Sequence, residues 1–537
     1  MALGISLAQT ARMPRMRFIR PNLVAGLMLC TLAAPRPAMA EPKAKDKDKN
    51  VPRLGLDPAE PGVRSAPPAT PFGINPATSK EYVFDFHGYM LLPLVIGVHD
   101  RGNYVPDESG TVLHTPALVP QNHDRFQFTG VVPTPWVQLN LSYGNSTVAG
   151  TVIIASTAAY EAEAVYDPVR QLGVSNAYIT LNLKPQMGIP LQLRAGAMQN
   201  RYGSMGAFDS GRYATPLIAR INSVGQTATA AFELGELALV FEEGFGGQIG
   251  RMPTGMSSEG WNDFGDPRVG SSYVLHFHGG LAWKGLLQLG LHYVTAWSQD
   301  DQGPTSTLRE GRISVFGADG RLTAGRYGHL YAGASYVKAV NSQYVSGIIE
   351  ILNARGGKGL MDEYLGPAST NGQPPYNDGD GALTIVGFQY DMSLSRLLYD
   401  ELYHGKNPDV FFSLFGIGAK VKSDDPAYDG VLKLKGGAEV TYAMKSWLAV
   451  SGRADIVRQD NRFNRKSFNI YTARLLFHTG WLSRDEFALQ YSRFVYGREV
   501  YVENGYPPKD NMDLNPDGSR VLNPDRHVLS LSATFWW

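Results

Sequence analysis

Three histidines fall in two neighbouring segments that alternate between apolar and polar residues. His276 and His278 are two residues apart, so an extended strand points both to one face, and His292 has the same facing in the next segment. Imidazole nitrogens gathered in this way are ligands for zinc and other transition metals, so one hypothesis is a metal site. The alternative is that the three histidines are ordinary polar lining of a wet face.

A second candidate metal site offers oxygen ligands. Asp513, Asn515 and Asp517 have the alternating spacing that opens many calcium-binding loops. The acid expected at the twelfth position is replaced by Pro524, with Asp525 one residue later, so the match is partial. The segment is either a calcium loop or a plain turn rich in Asp and Asn. No other cofactor is indicated.

Motifs for catalysis do not occur in the chain. It has no G-x-S-x-G, no H-E-x-x-H and no phosphate-cradling glycine loop. The single cysteine, Cys30, lies in an N-terminal hydrophobic run and offers no nucleophile to the mature chain. Asp85 and His87 share a strand face, where pore lining is favoured over a catalytic pair. We therefore expect a protein that is not an enzyme, with an outer-membrane hydrolase as a less favoured alternative.

The elements that must position these residues are strands of about ten residues that alternate and are bounded by turn residues. In 431–444, for example, Leu432 and Leu434 face one side while Lys433 and Lys435 face the other. The predicted strands are eighteen in number: 81–99, 135–144, 146–157, 173–183, 191–202, 225–234, 236–244, 271–283, 286–298, 311–324, 328–342, 382–394, 409–422, 431–444, 447–459, 467–478, 485–497 and 526–537. The alternation is weak in 311–324 and 328–342, and 395–407 reads as a periplasmic helix where a short turn is expected.

The connections between these strands alternate in length. The short connections hold one to three residues, such as Asn145 and Gly235, whereas the intervening ones include 100–134, 203–224 and 343–381. Membrane barrels have short periplasmic turns and long external loops, and a soluble β-sandwich has no reason to keep this order. In 343–381, the segment from Val345 to Arg355 has apolar residues spaced as one side of a short helix, which is interpreted as packing on neighbouring loops or as a lid or lumen plug.

The end of the chain has the clearest alternation. Leu529, Leu531, Ala533, Phe535 and Trp537 alternate with hydroxyl residues, which gives one apolar and one polar face. No run of eighteen apolar residues occurs after the N-terminal region, so a helical membrane span is not predicted. Only a closed barrel lets so polar a chain cross a bilayer, because every backbone group must then pair within the sheet.

The first eighty residues have a different character. Residues 1–40 contain five arginines, no acid, an apolar run and Ala38-Met39-Ala40, which is typical of a secretory signal peptide cleaved after Ala40. Residues 41–80 are rich in Lys, Pro and Ala and are predicted to be a flexible periplasmic segment. Removal of the signal leaves 44 basic residues against 49 acidic ones, so nucleic acid is not an expected partner.

Together the signal, the alternating strands, the loop pattern and the terminal aromatic residue resemble the Gram-negative outer-membrane porin superfamily over residues 81–537. The resemblance is architectural and identifies no subfamily. It implies an all-β, transmembrane antiparallel β-barrel of about 18 strands, with 16 as the alternative, in the cell outer membrane. It implies a passive channel for small hydrophilic solutes or ions, with a homotrimer, lipopolysaccharide and the barrel assembly machinery as partners and Phe535 and Trp537 as assembly signal. A receptor or adhesin barrel with an occluded lumen is the alternative function.

The resemblance also implies that the loop after the fifth strand, 203–224, folds inward as a constriction. Counting round an eighteen-strand barrel places this loop opposite a wall rich in basic residues, which predicts weak anion preference. The alternative is that these side chains are solvated and paired in a wide bore. The predicted lining residues are Arg194, Asp209, Arg212, Arg220, Lys420, Lys433, Lys435, Glu439, Arg453, Asp455 and Arg474.

Overall fold

The computed structural model describes the strands and the short connections between them. The described residues are 79–97, 137–156, 172–188, 190–202, 219–247, 272–284, 286–298, 310–345, 348–351, 354–355, 365, 380–399, 407–424, 426, 428–458, 467–477, 479, 484–496 and 526–536. They belong to one compact unit, Val51–Trp537. The predicted signal peptide and nearly all of the predicted segment 41–80 lie outside them, and both stay predictions.

Eighteen long strands pair antiparallel in chain order and form one sheet, as the alternation predicts. Two short strands, β12 and β13, belong to the connection after β11. The strands are β1 (Val83–Gly97), β2 (Val137–Gly144), β3 (Val148–Ser156), β4 (Leu172–Asn182), β5 (Leu191–Tyr202), β6 (Ala219–Leu234), β7 (Leu237–Gly247), β8 (Ser272–Trp283), β9 (Leu287–Ser298), β10 (Arg312–Thr323), β11 (His329–Val340), β12 (Ile349–Ile351), β13 (Ala354–Arg355), β14 (Gly381–Ser393), β15 (Asp409–Ser423), β16 (Leu432–Lys445), β17 (Leu448–Arg458), β18 (Ser467–Phe477), β19 (Arg484–Tyr496) and β20 (Arg526–Trp536).

The two ends of the sheet meet at β1, with a large stagger. The first half of β1 pairs with β2 from Val83 to Met90, and its second half pairs with β20 from Tyr89 to Gly97. The two ladders therefore overlap only at Tyr89 and Met90. Strand β1 links both edges of the sheet. Over most of its length, however, β1 is paired with a neighbouring strand on one side alone, so the sheet is not closed into a continuous cylinder.

Each strand has one exposed apolar face and one buried face, which follows from the period of two. Leu291 in β9 is 67% exposed and Phe245 in β7 is 46% exposed, whereas their neighbours His292 and Gly244 are buried. Large apolar side chains on the outside of a sheet this size are the arrangement that a bilayer stabilises. In β20, Leu531 faces outward and Ser530 inward, which confirms the alternation predicted for the terminal strand; Trp537 lies outside the described residues.

The short connections lie where they were predicted. Gly235 has a φ of 66° in the turn between β6 and β7, a left-handed conformation that suits glycine. A four-residue helix, α1 (Lys184–Met187), lies between β4 and β5, and a second helix, α2 (Leu394–Tyr399), follows β14. Helix α2 confirms the helix predicted within 395–407 as far as Tyr399. No helix among the described residues is long and apolar enough to cross a membrane.

Strands β10 and β11 pair without interruption, from Arg312 opposite Val340 to Thr323 opposite His329. Their weak alternation in the sequence therefore does not weaken their register in the sheet. Small residues explain the difference, because Gly317 and Ala318 on β10 lie opposite Ser335 and Ala334 on β11 and present no long side chain to either face.

The short helix predicted between Val345 and Arg355 is wrong. Residues Ile349–Ile351 form β12, which pairs with the start of β6, Ile349 opposite Ile221. The amide of Asn222 also donates to the carbonyl of Ile348 at 2.9 Å. Isoleucine and valine are stiff at χ1 and favour strands, so tertiary pairing outweighs a weak helical spacing here. The predicted loop 203–224 is also too long, because β6 already begins at Ala219.

Candidate functional site

The inner face of the sheet falls into three regions, and the first is a polar wall on β1 to β5. Asn140, Thr151, Asn176 and Arg194 face inward from successive strands, and three of the four remain partly exposed. On the outer side of the same strands lie apolar residues such as Ile179, which is 58% exposed. Because hydroxyl, amide and guanidinium groups keep water as a partner, this wall is suited to a solute passage.

Local hydrogen bonds hold this polar wall in place. The hydroxyl groups of Ser142 and Thr151 are 3.0 Å apart across β2 and β3. On β5, Nε of Arg194 donates to Oε1 of Gln192 at 3.1 Å, and the guanidinium carbon lies 5.9 Å from the ring centre of Tyr178. The predicted position of Arg194 on the inner face is therefore what the structure shows.

Asp85 and His87 also belong to this wall. Oδ2 of Asp85 lies 2.7 Å from Nδ1 of His87, and Nδ2 of Asn140 donates to the carbonyl of His87 at 3.4 Å. An acid that orients an imidazole is half of a catalytic arrangement, but no described hydroxyl or thiol is placed by these contacts at the other ring nitrogen. The pair forms part of the polar surface of this wall.

The second region is the mouth cluster, which we define as the buried apolar residues at the long-loop end of β6 to β15 together with the segment that follows β11. From that segment Val345, Ile348, Ile349 and Ile351 are each 1% exposed. The wall contributes inward residues from seven strands, namely Ile221, Val274, Ala296, Ile313, Ala339, Leu383 and Val421.

The segment after β11 reaches across this part of the sheet. It leaves β11 beside β10, because the carbonyl of Asn341 and the side chain of Val345 crowd Gly311. It then adds β12 to the edge of β6, four strands away, and Leu365 accepts a hydrogen bond from the hydroxyl of Ser423 at the end of β15 at 3.2 Å. The mouth cluster thus covers the β6 to β15 side of the long-loop end with apolar side chains.

The third region is the charged network, which we define as Lys435, Glu439, Arg453, Asp455 and Arg474 on β16 to β18. Arg453 donates from Nε and Nη2 to the two carboxylate oxygens of Asp455 at 2.9 and 2.8 Å. Its Nη1 lies 3.4 Å from Oε2 of Glu439. Such a bidentate pair fixes both side chains in one plane. All five residues are buried, at 4% exposure or less.

Glu439 is the centre of this network. Its Oε1 accepts from the hydroxyls of Ser451 at 3.1 Å and Thr441 at 3.3 Å, and Arg474 approaches it at 3.5 Å. Arg474 in turn donates from Nε to Oε1 of Gln490 at 2.9 Å. The network therefore contains three cations and two carboxylates, which leaves it with a net formal charge of one positive unit.

Phe415 forms the floor beneath these cations. The guanidinium carbon of Arg453 lies 4.5 Å from the ring centre, and Nζ of Lys435 lies 5.6 Å from it. Phe415 is itself 1% exposed. A cation held against an aromatic face in this way keeps an electrostatic partner when water is excluded.

The three histidines lie in a row with acids on β7 to β11. Nε2 of His276 lies 3.5 Å from Glu242, and Nδ1 of His292 lies 3.6 Å from Asp319. His292 also meets the hydroxyl of Ser335 at 3.0 Å through its Nε2. Glycines make room for this row, since a Cβ on Gly317 would overlap the imidazole of His292. The rings of His276 and His292 are thus flanked by oxygen groups, while His278 lies opposite His292 in the strand register.

This arrangement does not support the predicted transition-metal site. Within the described residues no group of three or more His, Cys, Asp or Glu side chains converges on one point. His276 and His292 instead turn toward different acids, which spreads the nitrogens along the wall. The candidate calcium loop with Asp513, Asn515 and Asp517 lies outside the described residues, so it stays a prediction.

The predicted lining residues have different outcomes. Lys433, Lys435, Glu439, Arg453, Asp455 and Arg474 face inward as expected, but the network pairs Arg453 and Arg474 with carboxylates. The inward placement of Lys420 is wrong. It is exposed on the outer face of β15, because its neighbours Ala419 and Val421 occupy the inner face. Asp209, Arg212 and the side chain of Arg220 lie outside the described residues.

Sequence reasoning missed several residues that shape the inner face. Phe415 and Tyr331 are large aromatic residues that face inward, where a water-filled bore predicts polar ones. For β15 the sequence does carry a signal, because Phe411, Phe415, Ile417 and Val421 occupy alternating positions on one face. That apolar face is the inner face in the structure. Asp319 and Glu242 could have been found by placing acids opposite the histidines in the strand register.

Comparisons with known proteins assign no family to this chain. No protein-family model matches the chain, and no curated protein matches it. Among solved structures, the outer-membrane channel DcaP of Acinetobacter baumannii matches 86% of this chain and 99% of its own at 13% identity, with a TM-score of 0.39. Wzi of Escherichia coli, an outer-membrane protein involved in group 1 capsule assembly, matches 84% of both chains at 11% identity and a TM-score of 0.40.

OpdK of Pseudomonas aeruginosa, an outer-membrane protein also solved with vanillate, matches 86% of this chain and 99% of its own at 10% identity and a TM-score of 0.38. All three are outer-membrane proteins. At such identities and scores the likeness carries no argument about the family or the function of this chain. The assignment of an eighteen-strand antiparallel sheet rests on the strand pairing itself.

Proposed function

We propose that this protein is an outer-membrane channel for small hydrophilic solutes, in which solutes pass along the polar wall of β1 to β5 beside the mouth cluster. The observation that carries the proposal is the partly exposed polar lining on that wall, on the inner face of an eighteen-strand sheet whose two edges both pair with β1. A barrel of eighteen strands is wide enough for an aqueous bore, whereas eight strands would be filled by side chains.

Placement in the outer membrane is part of the proposal and follows from the outer face. Aromatic residues such as Phe245, Tyr273 and Trp297 stack there with ring centres 5.9 to 6.4 Å apart. Exposed Trp283 and Trp447 lie at the short-turn end, where an interfacial girdle belongs. In water these surfaces would be a large apolar patch, so lipid is the solvent that they fit.

The mouth cluster narrows the passage in this proposal. Its segment is anchored at both ends, at β6 through β12 and at β15 through Leu365, so it divides the long-loop end into a covered side and a polar side. The constriction that the sequence predicts for the loop 203–224 falls mostly on residues outside the described part of the chain, 203–218, so it stays a prediction beside this one.

Weak anion preference stays part of the proposal, although fewer cations face inward than the sequence predicts. On the inner face of β16 to β18, four cations face two carboxylates, and Lys433 is the cation that the charged network does not include. Loss of Lys420 from the inner face removes one charge from the wall. Fixed charges along a passage bias which ions enter.

A second candidate function is a receptor barrel with an occluded lumen. The observation that favours it is the complete burial of the mouth cluster and of the charged network, with Asp455 and Ile349 each 1% exposed. Such a barrel would bind a ligand at its long loops and would not pass solutes. Catalysis forms no part of either proposal, and a homotrimer, lipopolysaccharide and the assembly machinery remain proposed partners of both.

Swelling of proteoliposomes in sugar solutions tests the channel directly. Liposomes that hold the purified protein should swell at rates that fall as the sugar grows from a mono- to a trisaccharide. The control is the same protein unfolded by boiling before it is mixed with lipid. No swelling with any sugar would reject the channel and leave the occluded receptor, whereas swelling that is equal for all sugars would reject a narrowed passage.

A further inference from the structure

Four basic residues are exposed on the outer face, at the long-loop ends of four consecutive strands of the ring. They are Arg312 on β10, Lys338 on β11, and Lys420 and Lys422 on β15, with β14 between the last two strands. Each is next in the strand to a buried residue, such as Ile313, Val337 or Val421, and adjacent side chains of a strand point to opposite faces. These cations therefore point away from the interior, toward the surroundings of the sheet.

The strand register places the four cations close together. Ala382 on β14 pairs with Lys338 on one side and with Lys422 on the other, so the backbones of these two lysines are separated by two strand spacings, about 10 Å. Lys420 and Lys422 are next neighbours on one face, about 7 Å apart along the strand. Arg312 begins β10 and lies opposite Val340.

Hydroxyl groups complete this surface, which we call the basic patch. Ser314 lies opposite Lys338, and Thr384 lies between Lys420 and Tyr336 in the register. Within the described part of the chain, no hydrogen bond or ion pair engages the side chains of Arg312, Lys338, Lys420 or Lys422. Long flexible cations with hydroxyl neighbours are a donor set for phosphate oxygens.

Acidic residues lie beyond the ends of the strands that carry the basic patch. Glu310 and Asp424 are exposed just beyond the ends of β10 and β15. Asp380 accepts the amide of Asn341 at 2.6 Å, and Asp429 accepts the amide of Ser423 at 3.1 Å, so these two carboxylates are held in the loops. The four carboxylates balance the four cations in formal charge, but they lie past the strand ends, whereas Lys338 and Lys420 lie on the strands themselves.

A cation on the outer face of a membrane barrel has an energetic cost that depends on its depth. Lysine and arginine are strongly unfavourable at the middle of the bilayer and close to neutral at the interface. The basic patch lies at the long-loop end, which is the external end of such a barrel, so the headgroup layer of the outer leaflet is the surrounding that fits it. Below it, Val386 and Phe388 on β14 are exposed and suit acyl chains.

We propose that the basic patch binds the phosphate groups of a phosphorylated glycolipid of the outer leaflet, with lipid A phosphates held by Lys338, Lys420 and Lys422. The inference rests on the proposed membrane placement but not on solute passage. It gives a role to Lys420, which lies on the wrong face to line a bore. Arg312 lies at the edge of the patch and adds to its field.

The test is titration of the detergent-purified protein with diphosphoryl lipid A, followed by native mass spectrometry. A Lys338→Gln, Lys420→Gln, Lys422→Gln variant should bind about 100-fold more weakly, because each cation near an anionic lipid surface contributes roughly five-fold. The matched control changes three exposed lysines at the short-turn end, Lys184→Gln, Lys284→Gln and Lys445→Gln, and should bind as the wild type does. Monophosphoryl lipid A should bind more weakly than the diphosphoryl form, and phosphatidylcholine should not compete.

Three results would overturn the inference. The first is equal loss of binding in both triple variants, which would mean that charge anywhere on the protein is enough. The second is unchanged binding in the basic-patch variant. The third is competition by millimolar inorganic phosphate that is as effective as competition by the lipid. Heat-modifiable gel mobility is measured on the same samples. A protein that lacks it fails the proposed membrane barrel, whereas a heat-modifiable protein without selective lipid A binding fails only the basic patch.

Discussion

Substitution of Arg453 is expected to lower the stability of the barrel wall strongly. It donates two short hydrogen bonds to Asp455 and approaches Glu439, and its side chain is 1% exposed. In an Arg453→Met variant the carboxylate of Asp455 loses its bidentate partner, while Glu439 keeps Arg474 at 3.5 Å. Breaking a buried pair from one side leaves a buried charge without compensation and costs about 3–5 kcal/mol.

A second substitution separates charge from packing. In an Arg453→Met, Asp455→Asn variant both members of the pair are neutral, so most of the lost stability should return, because a buried pair replaced by neutral groups is often close to neutral. The coupling between the two sites should then be roughly 2 kcal/mol, within the range seen for residues of one network. Arg321→Met is the matched control, since Arg321 also faces inward and, among the described residues, donates to the hydroxyl of Thr323 at 3.3 Å without forming an ion pair.

The assay is unfolding in urea of each variant inserted in lipid vesicles, followed by tryptophan fluorescence. The expected order of stability is wild type, then Arg321→Met within about 0.5 kcal/mol, then the double variant, then Arg453→Met. If Arg453→Met lost no more than the Arg321→Met control, the charged network would be hydrated lining, and the buried-pair reasoning would be refuted.

Four further outcomes are expected. Gly317→Val should lose roughly 1–3 kcal/mol in the same assay because its side chain would overlap His292, whereas Gly452→Ala, which meets open space, should be neutral. Leu291→Arg, on the exposed outer face, should lose about 2–4 kcal/mol in vesicles. Lys433→Glu should shift the reversal potential in a KCl gradient toward cations, and Lys420→Glu should leave it unchanged because Lys420 faces outward. Deletion of 535–537 should lower the surface level of the protein in cells, and a normal level would mean that this pattern is only a strand.

Much of the fold was predictable from the sequence because a period of two is a local property. The row of Leu432, Leu434, Val440 and Tyr442 faces outward as predicted, since neighbouring side chains must point to opposite faces whatever surrounds them. The turn at Gly235 was predictable for the same reason, because its residue type allows the left-handed conformation that the turn adopts.

Tertiary pairing was not predictable in this way. Ile349 pairs with Ile221, which lies 128 residues earlier, and nothing in the local spacing of 345–352 distinguishes a short helix from a strand added to a distant edge. Lys420 shows a second limit. Its strand carries glycines at 416 and 418 on the outer parity, so hydrophobicity alone did not reveal which face was lipid.

The composition of the inner face was the hardest part to predict. A bore predicts polar lining, and β1 to β5 follow that rule, but Phe415 and the mouth cluster do not. Their burial depends on a segment that reaches from β11 to β6 and β15, so it becomes visible only when the sheet is assembled. The charged network likewise pairs residues that three separate strands bring together.

Single-channel conductance in planar bilayers tests the central claim most directly, by comparing the wild type with a variant in which residues 345–355 are replaced by a Gly-Ser linker of equal length. If solutes pass beside the mouth cluster, the wild type conducts and the variant conducts more, because the segment held by β12 no longer narrows the passage. A Gly-Ser replacement of residues 479–483, at the short-turn end, is the control and should conduct as the wild type does. Absence of conductance in both the wild type and the 345–355 variant would contradict the channel.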